Sequence, residues 1–541
     1  MSRPWRSVAI LLFTTTLLVA GFAGDRLLAV SSETQSQFRL YTELLHVAHD
    51  EYGAEVPYRD LVYASIDGML RTLDPHTNFL SPEDYQEMRD RQQASFYGIG
   101  ILVSVRGGQL TVISPIEGTP AWRMGLQAGD VISTIEGEPT DTMDVNDAVS
   151  RLKGPRGTKV NVTITRSGLD DPIQLAITRD EIPQTTVRYA YMMTPDVGYI
   201  RLTDFARSTS DEMRDALDDL TSQGMTKLLL DLRSNGGGLL DQTVTVSSFF
   251  VPEETRIVET RGRIGDSQQT FFADGTHTPL DMPVVVLVNG GTASAAEILA
   301  GAIQDHDVGI VVGTPTWGKG LVQTVYNLSY GSGLALTTAK YYTPSGRLIQ
   351  RDYSSFYDYY GRFEDGGPVQ DVAIEEPGEL PIDDDPEEFA TDLGRKVFGG
   401  GGITPDVVIE LPDGPSMLAS LFARNAFFRF SVDYEAEHAI ESPDWQPPPT
   451  LLDDFSAWVV GEGIANPEPL ARMLEDERAR NYTLRQVHSD IFNAAFGQEA
   501  AHQILALGDD QLQAALDEFE NAIELLERRR QLTRQASLGD G

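Results

Sequence analysis

The 541-residue chain contains no cysteine. No disulfide, thiolate nucleophile, Cys-based metal site or Cys-linked lipid can be built from it. Lysine is scarce too. Only Lys153, Lys159, Lys227, Lys319, Lys340 and Lys396 stand among 42 basic residues. Positive charge as a whole is thin, with 81 acidic residues and a net charge of −39. Such a surface argues against nucleic acid or anionic lipid as the main partner. The eight histidines include no His-x-x-x-His pair, and the acidic run Asp383-Asp384-Asp385-Pro386-Glu387-Glu388 lacks EF-hand spacing. No metal or cofactor is expected. Past the N-terminus no apolar run is long enough to span a membrane.

That N-terminus is distinctive. Arg3 and Arg6 precede an apolar run, Val8 to Ala20, followed by Gly21-Phe22-Ala23-Gly24. Residues 1–23 read as a secretory signal cleaved after Ala23, or as an uncleaved signal anchor. Either way the protein is expected to be exported, to the periplasm or cell envelope, and to touch membrane only through this segment.

Apolar periodicity divides the rest. Residues 32–95 carry helical spacing, such as Leu61, Ala64, Ile66, Met69 and Leu70. Residues 96–180 switch to period two with Gly/Pro turns, a compact β-rich module with short helices at Ala121–Met124 and Val145–Leu152. From 181 to 350 near-continuous apolar strands alternate with helices, which indicates an α/β core covered on both faces. Residues 351–401 are an acidic, Gly-rich insertion, 402–412 return to the core, and 413–541 are mostly helical.

Three pieces of the core carry chemistry. Ser294, in Gly291-Thr292-Ala293-Ser294-Ala295-Ala296-Glu297, opens a helix. As a capping box it is structural, but a helix N-terminus also stabilises developing negative charge. Lys319 sits in Thr316-Trp317-Gly318-Lys319-Gly320. A phosphate-binding loop would need Ser or Thr at 320 and a following helix, whereas Leu321–Tyr326 alternates like a strand. Unlike Arg, a buried Lys can give up its proton and serve a hydroxyl nucleophile. Asp231-Leu232-Arg233-Ser234-Asn235-Gly236-Gly237-Gly238 delivers a buried strand into a glycine loop able to aim N–H groups at an anion. His306 lies 12 residues beyond Ser294 along the same helix, about 18 Å away and out of reach. His76, in Asp74-Pro75-His76-Thr77, reads as structural.

Together with Leu73-Asp74-Pro75-His76-Thr77, Gly98-Ile99-Gly100-Ile101, Gly125-Leu126-Gln127-Ala128-Gly129-Asp130, Gly318-Lys319-Gly320-Leu321-Val322-Gln323 and Thr338-Ala339-Lys340-Tyr341-Tyr342, these pieces resemble the carboxy-terminal processing (tail-specific) serine proteases. The resemblance implies an α/β protease core with crotonase-like layers. It also implies an inserted PDZ domain over 96–180, an N-terminal helical segment and a C-terminal helical region. It implies a serine endopeptidase with Ser294 as nucleophile, Lys319 as general base with a pKa lowered by burial, and Gln323 positioning the lysine from the same strand face. The backbone N–H groups of Gly237 and Ala295 would form the oxyanion hole. Residues Gly98, Ile99, Gly100 and Ile101 would hold a substrate's C-terminus, with the PDZ domain gating the site. Expected partners are proteins or peptides with accessible C-termini, an adaptor or activator, and a second copy in a homodimer. The family commonly has Pro where Gly236 stands. The alternative is a catalytically silent PDZ scaffold on the same fold.

Overall fold

A computed structural model describes residues 32–351, 387–410 and 416–539. The N-terminal segment expected to direct export and most of the acidic insertion lie outside the described residues. No helix among the described residues is long and apolar enough to cross a membrane.

The chain falls into two compact units, one formed by residues up to 81 with 325–336 and the other by the remainder. In the first, helices Ser32–Glu51 and Tyr58–Leu70 precede a short strand, Asn78–Leu80, that pairs antiparallel with residues 333–335. The Asp74 carboxylate shapes the turn before that strand. It accepts the N–H groups of His76 and Thr77, each at 2.8 Å, and the Thr77 hydroxyl at 2.7 Å.

The second unit is built on a six-stranded sheet. β1 (Val187–Met192) runs antiparallel to β2 (Val197–Leu202). Then β2, β3 (Lys227–Asp231), β4 (Val284–Val288), β5 (Ile310–Gly313) and β6 (Val407–Val408) lie side by side in parallel. Because side chains alternate along a strand, Leu228 and Leu230 of β3 face one layer and Leu229 the other. Helices α1 (Thr209–Ser222), α2 (Leu240–Ser247) and α3 (Ala295–Asp305) fill the first layer through Met213, Leu217, Val246, Ile298 and Leu299. All eleven residues of α3 are buried, and its polar members Glu297, Gln304 and Asp305 are each hydrogen-bonded.

The second layer comes from the far end of the chain. Ala506, Leu512, Ala515, Phe519, Ala522 and Leu525 pack on Tyr199, Leu229, Val285 and Leu287. The helical region therefore does two things. Its last helices cover the sheet, while residues 418–491 form a bundle with its own core around Phe427, Phe430, Phe455 and Val487.

The β-rich module has six strands between Ile101 and Thr178, closed over Val112, Ile132, Val162 and Ile177. Its helices are Pro120–Arg123 and Val145–Leu152. The run Gly98–Val103 is divided between two strands. Ser95–Gly98 pairs with Asp180–Pro183, and a new strand begins at Ile101. Gly100 makes the break at φ 79°, where a Cβ would lie 2.3 Å from Thr119. The helical bundle touches this module: Val432 packs on Gly129, and Asn493 donates to the Ile113 carbonyl at 3.4 Å.

Helix α3 is anchored at its C-terminal end. Arg347, fully buried, donates to Asp305 at 2.6 Å and Gln304 at 2.7 Å, a cation placed where the helix dipole favours it. His306 caps the same end, with Nδ1 2.8 Å from Asp392 and Nε2 2.7 Å from the Arg256 carbonyl. Burial alone would lower its pKa, but these two acceptors raise it above 6.5. Stability from the imidazolium should be fully present below pH 6.5 and lost as the pH rises through that raised value. Urea unfolding between pH 6 and 9 checks this. His306→Gln should flatten the slope, and an unchanged slope would show that the cap does not titrate there.

Candidate active site

Ser294 sits where β4 hands the chain to α3. Its backbone is held at φ 56°, ψ −117°, a strained setting for a residue with a side chain. The expected capping box is present in outline. The Glu297 carboxylate accepts the Ser294 N–H at 2.7 Å. The Glu297 N–H, however, is directed to the Ser294 carbonyl at 2.9 Å, and no full cap hydrogen bond engages the hydroxyl. Ser294 is half-buried.

Lys319 lies in the loop leaving β5, and here the structure corrects the expected geometry. The strand begins at Leu321, so Lys319 precedes it rather than sharing its face with Gln323. The contact is made all the same, because the lysine side chain is long. Nζ donates to Gln323 Oε1 at 2.9 Å.

Two buried groups tie the Ser294 and Lys319 loops together. Glu297, fully buried, accepts from Gly318 N–H at 2.7 Å, Lys319 N–H at 2.8 Å and the Thr316 hydroxyl, besides the Ser294 N–H. Burial pushes its carboxyl up, and these four donors pull the other way without fully offsetting it. The Tyr341 hydroxyl bonds to the Ser294 carbonyl at 2.9 Å and also to the Lys319 carbonyl. Thr316 in turn is held by Ile403, whose N–H donates to its hydroxyl at 2.7 Å, so the chain returning from the insertion props the lysine loop.

The glycine loop closes the third side. A Cβ on Gly237, at φ 99°, would lie 2.9 Å from Ala295 N and from Ser294 Cβ, so only glycine permits this approach. Ala295 is the first residue of α3, and its N–H has no carbonyl within the helix to bond. The Gly237 N–H donates to Asn235 Oδ1 at 2.9 Å. Asn235 is fully buried; its Nδ2 donates to the Leu202 carbonyl, and its own carbonyl accepts the Ala293 N–H at 2.8 Å. Asn289 completes the clasp, accepting from Ser234 and Gly291 N–H at 2.7 and 3.0 Å. Around Gly236 there is open space where the family commonly carries Pro.

The peptide-binding candidates lie in the β-rich module. Gly98, Ile99 and Gly100 are buried. The Ile99 carbonyl accepts from Ala121 N–H at 2.8 Å, and the Gly100 carbonyl from Ile116 N–H and the Thr119 hydroxyl at 3.0 Å. Both carbonyls are thus used inside the module. Ile101 opens the next strand.

Comparison with known proteins assigns both parts to a class. A family model for Peptidase family S41 matches residues 196–354, and one for the PDZ domain matches residues 111–166. This is a serine-type peptidase core carrying a PDZ domain. A Carboxy-terminal-processing protease of Bartonella bacilliformis is 40% identical over 321 residues, 59% of this chain and 73% of that one. Carboxy-terminal processing protease CtpA of Bacillus subtilis is 34% identical over 344 residues, 63% of this chain and 73% of that one. A solved photosystem II D1 C-terminal processing protease is 32% identical, covering 62% of this chain and 89% of its own, with TM-score 0.33. The chain belongs to the carboxy-terminal-processing proteases of peptidase family S41.

Glu297→Gln leaves one acceptor oxygen and sets two N–H groups among donors. It should destabilise the protein by roughly 2–4 kcal/mol and release the lysine loop. A denaturation midpoint equal to wild type would show that this carboxylate is not the clamp.

Proposed function

We propose that the protein is an exported endopeptidase that cleaves proteins near or from their C-terminus with a Ser294–Lys319 dyad. The single observation that carries this reading is the shared clamp. One buried carboxylate holds the backbone N–H groups of both Ser294 and Lys319, while Gln323 accepts a hydrogen bond from the lysine's Nζ. A capping serine and an exposed ion-pairing lysine would need no such common support.

In this reaction neutral Lys319 takes the proton from the Ser294 hydroxyl as Oγ attacks the scissile carbonyl carbon. Gln323 aims the amine. Negative charge on the former carbonyl oxygen falls to the N–H groups of Ala295 and Gly237. The tetrahedral adduct collapses as Lys319 passes the proton to the leaving amine, giving an acyl-enzyme. Water, deprotonated by the same lysine, then adds to the ester, and Ser294 leaves with the proton returned. The product carries a new C-terminal carboxylate.

The PDZ domain supplies selection. The loop Gly98-Ile99-Gly100-Ile101 would take the substrate's terminal carboxylate on its N–H groups while the tail adds as a strand. The bond between Gly237 N–H and Asn235 favours a resting state that tail binding must release, which is the proposed gating. Export rests on Arg3, Arg6 and the apolar run that follows them.

The test is proteolysis of an unfolded reporter with a free or an amidated C-terminus. Ser294→Ala and Lys319→Ala should each lower kcat by at least ~10³-fold. The amidated tail should raise KM and slow cleavage. Proteolysis that survives Ser294→Ala would end the dyad reading, and indifference to amidation would end the tail-binding one.

A further inference from the structure

A buried charged cluster lies behind the glycine loop, at the C-terminal ends of β2 and β3. Asp231, fully buried, ends β3. It accepts from the Tyr199 hydroxyl and Arg201 Nη1, both at 2.8 Å, and from Arg233 Nη2 at 2.7 Å. It also accepts the backbone N–H of Arg233 at 2.9 Å, and Arg201 Nη2 reaches the Arg233 carbonyl at 3.2 Å. Both main-chain groups of residue 233 are therefore pinned, not its side chain alone.

The outer side of Arg233 is gripped by the far end of the chain. Nη2 lies 2.7 Å from Asp509 Oδ2, and Nη1 donates to Gln511 Oε1 at 3.2 Å. Asp509 caps helix α4 (Asp510–Asp517), its Oδ1 accepting the Leu512 N–H at 3.1 Å. Gln511 is itself buried and fixed, donating to the Ile409 carbonyl at 2.7 Å. His502 sits beside them, stacked on Tyr199 with centroids 5.5 Å apart. Burial holds its pKa near 4, so at neutral pH it is uncharged and does not compete for Asp231.

Arg233 is two residues from Asn235, the side chain that fixes the Gly237 N–H, and four from Gly237 itself. We propose that Asp509 and Gln511 are positioning residues for the peptidase reaction, holding Arg233 so that the loop Ser234–Gly238 keeps Gly237 packed against Ser294 and Ala295. The inference rests on the dyad reading above and extends it to the C-terminal helices. Their cover over the sheet is thereby also a support for the oxyanion loop. Removing Asp509 leaves Arg233 paired with Asp231, so the fold should survive while the loop loses its outer stop.

Asp509→Asn in the full chain is the sharpest test, because Asn still caps a helix but loses the charge facing Arg233. A shift of the loop that leaves substrate binding intact should appear in kcat. The expected result is kcat lower by about 10-fold or more. KM, the affinity for a free C-terminal peptide and the urea midpoint should stay within error of wild type. Gln511→Met, of similar volume, should move kcat in the same direction. Wild-type kcat in both variants would overturn the proposal, as would a kcat loss matched by a fall in the midpoint or in tail affinity. Ser294→Ala run alongside separates the two readings. Proteolysis that survives it ends the dyad reading, whereas a dead Ser294→Ala beside a fully active Asp509→Asn ends only the positioning role.

Discussion

The arrangement depends on one buried carboxylate. Glu297 has no solvent exposure, and its two oxygens are surrounded by four donors drawn from two loops. Taking a carboxylate out of water is costly unless its lone pairs are satisfied. The converging N–H groups of residues 294, 318 and 319 offset that cost only if both loops are in place. Each loop is thus a condition for the other. The strained backbone of Ser294, a cost of about 1–3 kcal/mol for such a conformation, persists because its neighbours over-determine it. Tyr341 adds a second tie from the opposite polarity, since it donates where Glu297 accepts.

The sheet explains why a site this far inside the protein can be supported from the C-terminal end. Strands buried on both faces need two covers. The helices that follow the strands in sequence supply one. The other is supplied by residues 506–525, which return to the sheet after the separate helical bundle. As those helices cover the sheet, their first polar residues, Asp509 and Gln511, meet Arg233, which is paired with Asp231. The contact follows from the layer packing and needs no extra loop.

Local signals made much of this legible. Period-two patterning marked the PDZ module, continuous apolar runs marked β3 and β4, and the helix opened by Ser294 begins where its capping residues place it. Glu297 was visible only as the cap partner of Ser294. Its bonds to the lysine loop, 21 and 22 residues on, obey no periodicity. Tyr341 stood in a motif that marked the family, yet its bond to Ser294 spans 47 residues, and that from Arg233 to Gln511 spans 278. Long-range polar pairing of this kind leaves no spacing to read. Lys319 shows a subtler failure. The pairing with Gln323 was implied by the resemblance and fitted a shared strand face, but the lysine lies before the strand and reaches across by its own length. His306 was excluded from the dyad by distance, and its role turns out to lie at the opposite pole of the same helix.

The Asn235 contact bears on what an oxyanion hole must do. Its bond to the Gly237 N–H is a neutral amide pair, worth about 0.5–1.5 kcal/mol net. A substrate carbonyl offers that N–H a bond of the same kind, so exchanging partners in the ground state gains little. A developing oxyanion offers a charge-assisted bond roughly twice as strong, and then the exchange is favourable. In the proposed reaction the pre-existing bond would thus oppose tight binding of the ground state more than it opposes the transition state. That difference is what lowers a barrier, since contacts made equally well in both states leave the chemical step unchanged. The Gly237 N–H points at Asn235 Oδ1, so it must turn from that oxygen before it can serve the oxyanion.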